Sequence, residues 1–121
     1  MFRIKLIIEY DGSNYVGWQR QENGKSVQGE IESSLKKIFN ENIELTVAGR
    51  TDAGVHAFGQ VAHFDLKKKK IDDNKIHKAI NFFLKKNNNS ITVISSKYVS
   101  QNFHSRFSVE RKIYLYKIHN R

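Results

Sequence analysis

The chain of 121 residues contains no cysteine and no proline, and only one tryptophan and one methionine. Without cysteine there can be no disulfide, no thiolate nucleophile and no cysteine-built metal site. Without proline there is no proline-rich linker, and no internal repeat or low-complexity tract takes its place. No apolar run reaches the length of about 18 residues that a membrane-spanning helix needs. The opening Met1-Phe2-Arg3-Ile4-Lys5 starts an alternating pattern where a signal peptide would have a continuous apolar run. A soluble, unexported, cytoplasmic protein fits these absences. Acidic residues are also scarce, with 12 Asp and Glu against 21 Lys and Arg, a formal charge of +9. Such an excess makes a polyanion the first partner to consider. Some of it reads as composition: Lys, Asn and Ile are heavily used, as an AT-rich genome would dictate, and the run Lys67 to Lys70 looks like a solvated loop.

Periodicity divides what is present into short elements. Phe2, Ile4, Leu6, Ile8 and Tyr10 alternate with Arg3, Lys5, Ile7 and Glu9, which predicts a first strand. Asp11-Gly12-Ser13-Asn14 ends it, and a loop to Lys25 follows that carries Tyr15, Trp18 and Arg20. Aromatic rings and a guanidinium on a glycine-bearing loop can stack on RNA bases; the same rings could equally plug the edge of the core. Ser26 caps a predicted helix with Val27, Ile31, Leu35, Ile38 and Phe39 on one face. Ile43, Leu45 and Val47 alternate as a second strand, and a third runs from about Gly59 to Leu66, with His63 on its surface. Asp72 or Asp73 is the expected cap of a second helix along Ile76, Ala79, Ile80, Phe83 and Leu84. A fourth strand covers 91–99, and 113–118 alternates again. The order β-α-β-β-α-β predicts an α+β, ferredoxin-like domain, an antiparallel sheet with both helices on one face. Residues 1–100 form this domain, and 101–121 read as a linker and the first strand of an incomplete second one.

The second strand runs straight into Ala48-Gly49-Arg50-Thr51-Asp52-Ala53-Gly54-Val55-His56-Ala57. Two glycines flank one carboxylate, and glycine permits backbone conformations that can hold Asp52 at a fixed angle. Composition by itself also describes an ordinary Asp turn.

The order of these residues is more specific. Gly49-Arg50-Thr51-Asp52-Ala53-Gly54-Val55-His56 resembles the signature of the bacterial tRNA pseudouridine synthase A family. Glu9 to Ser13, Gly17-Trp18-Gln19-Arg20-Gln21, Ser26-Val27-Gln28, Gly59-Gln60-Val61 and Phe103-His104-Ser105-Arg106-Phe107 extend the resemblance over nearly the whole chain. It implies isomerisation of uridine to pseudouridine in the anticodon stem-loop of tRNA (positions 38–40), with no cofactor and no metal. Asp52 would be the essential carboxylate, acting as nucleophile toward sugar or base, or assisting proton removal at the sugar. The target base must leave its stack, and Arg50 is the residue that would brace the vacated space. Tyr114 would pack on the flipped base. Arg20, Trp18, Arg106 and His104 are candidate RNA contacts, with His56 shaping the loop. The resemblance also implies members about twice this length that act as homodimers.

Two other readings compete. An RNA-recognition module shares the element order, and Phe58, Gly59 and Val61 match its third-strand motif, but Gln60 and His63 stand where stacking aromatics belong. A metal hydrolase using Asp52, His56 and His63 has no recognised ligand spacing.

Overall fold

The computed structural model describes residues 1–11, 26–47, 57–68 and 71–105. Within them the chain forms β1 (Phe2–Tyr10), α1 (Val27–Phe39), β2 (Thr46–Val47), β3 (Ala57–Leu66), α2 (Asp73–Lys86) and β4 (Ile91–Val99). The four strands make one antiparallel sheet in the order β2-β3-β1-β4. This is the expected α+β, ferredoxin-like arrangement. The alternating segment 113–118 lies outside the described residues.

The alternation of β1 sets the layers. Its even residues Ile4, Leu6 and Ile8 are fully buried and join Phe64 and Leu66 of β3 in one core with Val27, Ile31 and Leu35 of α1 and Ile76, Ile80 and Leu84 of α2. Burying such a side chain is worth about 1.5–3 kcal/mol, so two helical stripes and one strand face are enough to fix the helices on the same side. The odd residues Arg3, Lys5 and Ile7 face away from them, opposite Asp65, His63 and Val61 of β3.

The two helices begin differently. Ser26 caps α1 as the sequence predicts, accepting from the amide of Gly29 at 3.0 Å, and Asn40 closes it with φ 55°. Asp72 is the N-cap of α2 but makes no side-chain cap bond. Instead, Ser96 reaches in from β4: its hydroxyl donates to the carbonyl of Asp73 and accepts from the amide of His77 at 2.9 Å. The hydroxyl thus bridges the carbonyl of Asp73 and the amide of His77, one turn apart in the helix. His77 is half-buried there with Nδ1 3.0 Å from the same oxygen.

Helix side chains also engage the backbone at both sides of the sheet. Asn81 of α2 donates to the carbonyl of Val93 at 2.9 Å and accepts its amide at 2.8 Å. On the other side, only Thr46 and Val47 pair as β2, although Ile43 and Leu45 were expected in that strand. The amide of Leu45 donates to the carboxylate of Glu32 at 2.9 Å, and its carbonyl accepts from Gln28 at 3.4 Å. Gln28 also donates to Glu32 at 2.9 Å. Two residues one turn apart on α1 thus stand in for a strand partner, while Ile43 and Leu45 still fill the core.

Candidate functional site

The register shows which segments leave from the same end of the sheet. Tyr10 at the end of β1 is the Cα partner of both Ala57, the first residue of β3, and Ile91, the first of β4. The amide of Asp11 donates to the carbonyl of Ser90 at 3.2 Å across the same end. Residues 12–25 follow β1, and residues 48–56 join β2 to β3. The aromatic-bearing and carboxylate-bearing segments are therefore rooted at one end of the sheet.

A β-bulge lies beside that root. Between the pairs Ile8–Gln60 and Tyr10–Ala57, β1 advances by two residues and β3 by three. The bulge contains Gly59 at φ 78°, a left-handed conformation that a side chain disfavours. An extra residue here turns the start of β3 relative to the rest of the strand.

Beyond β4 the chain crosses the helix-free face of the sheet. Arg3 grips Asp65 with two bonds, Nε to Oδ1 at 2.9 Å and Nη2 to Oδ2 at 3.0 Å. Its remaining nitrogen donates to the carbonyls of Phe103 at 2.6 Å and Gln101 at 3.1 Å. The hydrogen bonds from Arg3 hold the Asp65 carboxyl below its usual range, and Asp65 in turn raises Arg3. Further along, the rings of Phe103 and His104 meet His63 edge-on at 6.0 and 5.0 Å. Ser105 is fully buried, with its hydroxyl 2.8 Å from Nδ1 of His63 and 3.1 Å from the carbonyl of Thr46. The strap therefore runs from β1 across β3 to β2.

The protonation of His63 follows from this contact. The backbone amide of Ser105 can only donate, and it points at Nδ1 from 3.2 Å, so Nδ1 is an acceptor and the ring proton sits on Nε2. Burial, reinforced by the nearby positive charge of Arg3, pushes the imidazole down to about 4. His63 is thus a neutral anchor that is only 4% exposed, not the sheet-surface residue the alternation implied. Alternation placed it on the correct face; the strap that covers that face arrives from 42 positions later in the chain.

Of the residues that the resemblance proposes, His104 is the one that falls in the described part. It belongs to the strap and packs against His63. Asp52, Arg50, Tyr114, Arg20, Trp18, Arg106 and His56 lie outside the described residues. What the structure brings together are their attachments: the strand leading to 48–56 and the strap leading to Arg106 meet where Ser105 contacts Thr46. Glu32 escaped the sequence reading, being a charged residue on an amphipathic helix. One signal was present, since it lies seven residues before buried Phe39, two turns away on the same side of α1.

The sheet face also bears on the RNA-recognition alternative. Such a module stacks bases on exposed rings of its central strands, whereas here the corresponding face of β3 carries a buried histidine beneath Phe103 and His104. Among the described residues, no group of three or more His, Cys, Asp or Glu could hold a metal ion, and no helix is long and apolar enough to cross a membrane.

Comparison with known proteins gives a concordant result. A family model described as tRNA pseudouridine synthase matches residues 6–108. Proteins named tRNA pseudouridine synthase A from Brucella ovis, Brucella canis and Brucella abortus are each 50% identical to this chain over all 121 residues. The match covers 100% of this chain and 48% of each of those proteins, so the chain spans about half the length of the curated relatives it matches.

Proposed function

Because the chain belongs to the tRNA pseudouridine synthase family, we propose that it isomerises uridine to pseudouridine in the anticodon stem-loop of tRNA, with Asp52 as the essential carboxylate. The observation that carries this reading is the 50% identity over all 121 residues, an alignment that spans position 52. The reaction breaks the bond from the ribose to N1, rotates the base and joins the sugar to C5; C5 loses a proton and N1 gains one. No electron leaves and no group is donated, so a carboxylate in a water-excluding pocket supplies sufficient chemistry, either as nucleophile or by assisting proton removal. Arg50 braces the stack that the flipped base leaves, and Tyr114 packs on that base. The meeting of Ser105 with Thr46 supports the assignment, because it ties the Phe103 to Phe107 motif to the strand that enters the Asp52 loop.

In this reading residues 101–121 open a second unit that completes the pocket, and the complete enzyme works as a cytoplasmic homodimer on tRNA. The test compares this chain with a version extended by the C-terminal half of the Brucella ovis relative, using mass-labelled pseudouridine mapping on tRNA. The extended protein converts uridine and the chain of 121 residues alone does not. Asp52→Asn in the extended protein abolishes conversion while melting temperature and tRNA affinity hold. Near-normal turnover by that variant would remove Asp52 from its role.

A further inference from the structure

The outward face of α2 is not explained by the fold or by the site at the end of the sheet. From Asn74 to Lys86 the helix contains no acidic residue and four lysines, Lys75, Lys78, Lys85 and Lys86. All four are exposed. At the centre of the stripe stands Phe82, 63% exposed, four residues after Lys78 and three before Lys85. Those spacings place all three side chains on one helical face. Phe83 stands edge-on to Phe82 at 5.2 Å, and Lys37 of α1 lies 5.6 Å over the Phe83 ring, adding a cation beside the stripe.

The helix dipole accounts for Lys85 and Lys86, which occupy the last turn, where cations are favoured. It accounts neither for Lys78, two turns earlier, nor for an exposed phenylalanine. The other exposed phenylalanine among the described residues, Phe2, is 42% exposed and leans on Tyr98 at 6.2 Å. Lys75 has Asp72 at 4.0 Å, which makes the Lys78 to Lys86 portion the more positive one. An aromatic ring between cations, with no acid among them, matches an unpaired stretch of nucleic acid: the ring offers a stacking surface to a base and the flanking ammonium groups meet the phosphates on either side. The stripe is also directed toward the site, because the turn after Lys86 leads to Ser90, which bonds Asp11 at the end of the sheet where the two segments are rooted.

We propose that the Lys78–Phe82–Lys85 face of α2 is a second RNA-docking surface, binding unpaired nucleotides of the RNA outside the reacting site. The choice of RNA as the occupant rests on the tRNA-modifying reading above; the patch itself rests on charge and exposure.

The test titrates this chain with a labelled single-stranded oligouridine at several salt concentrations. Replacing Lys78 and Lys85 together by Gln removes two phosphate contacts and lowers the slope of log affinity against log salt by about 1.4. The double Lys→Arg variant keeps the slope. Phe82→Ala weakens binding about tenfold, the loss of one stacked base, and leaves the slope unchanged. All of these positions are exposed, and circular dichroism melts check that the variants fold. A slope and affinity indifferent to the Gln and Ala changes, or no salt-dependent binding by the unsubstituted chain, overturns the proposal. So does sedimentation showing that Phe82→Ala converts a dimer to a monomer with RNA binding intact, which would assign the ring to a second copy of the chain. Uridine conversion by the extended protein is followed in parallel. Conversion with an unchanged slope removes the patch alone; no conversion with the slope lowered as expected removes the functional reading alone.

Discussion

Ser105 donates from its hydroxyl to the carbonyl of Thr46 at 3.1 Å, across 59 positions of sequence, and its amide approaches His63 between them. This contact ends the strap on the edge strand that leads into residues 48–56. Ser105→Ala removes the hydroxyl from a fully buried position and leaves the Thr46 carbonyl without that donor. A loss of about 1–2 kcal/mol is expected, the range for a buried hydrogen bond with one partner deleted, and chemical denaturation measures it. If residues 48–56 carry the proposed catalytic Asp52, the same variant in the extended protein lowers uridine conversion more than tRNA affinity, because the strap ends on the strand that leads into them.

Glu32 holds the peptide that precedes β2. Glu32→Ala leaves the amide of Leu45 buried without its carboxylate acceptor and is expected to cost about 2–3 kcal/mol. Glu32→Gln keeps an oxygen in place and costs less. Hydrogen exchange gives the more specific readout: the Leu45 amide is protected in the unsubstituted chain and loses protection in the alanine variant before the amides of β1 do.

Acid weakens the fold through His63 first. Its folded value of about 4 lies below the ordinary 6.5, so between these limits the unfolded chain binds a proton that the folded chain does not. Stability from this group is therefore fully present above about pH 6.5 and declines as pH falls toward 4. Asp65 acts in the same direction at lower pH, since hydrogen bonds from Arg3 lower its value in the fold. An NMR titration should find the His63 ring neutral, with its proton on Nε2, at pH 5.5; an ordinary titration midpoint there would contradict the buried anchor.

Gly59 is required for its backbone rather than for space. A Cβ built at this position meets nothing within 4 Å, yet φ is 78°. Gly59→Ala is thus expected to destabilise by about 1–2 kcal/mol from the left-handed conformation alone. Gly59→Asn costs less, because asparagine tolerates that region better. Equal losses for the two would indicate that the bulge had rearranged.

The alternation of Phe2 to Tyr10 and the helical spacing of Ile31 with Leu35 and of Ile76 with Ile80 determined the layers, because burial of one face is a local, periodic property that survives any tertiary detail. The α+β order followed from those periods, and the eight-residue run from Gly49 to His56 carried the family resemblance without any structure. What depends on distant parts of the chain was not written in any period. Ser96 bridging Asp73 and His77 in the first turns of α2, Glu32 standing in for a strand partner of Leu45, and the Phe103 to Ser105 strap making His63 a buried, neutral anchor all join residues 13 to 42 positions apart. Each is a contact of a few specific polar groups. Such contacts leave no repeating pattern, and their geometry exists only after the hydrophobic layers have brought the partners together.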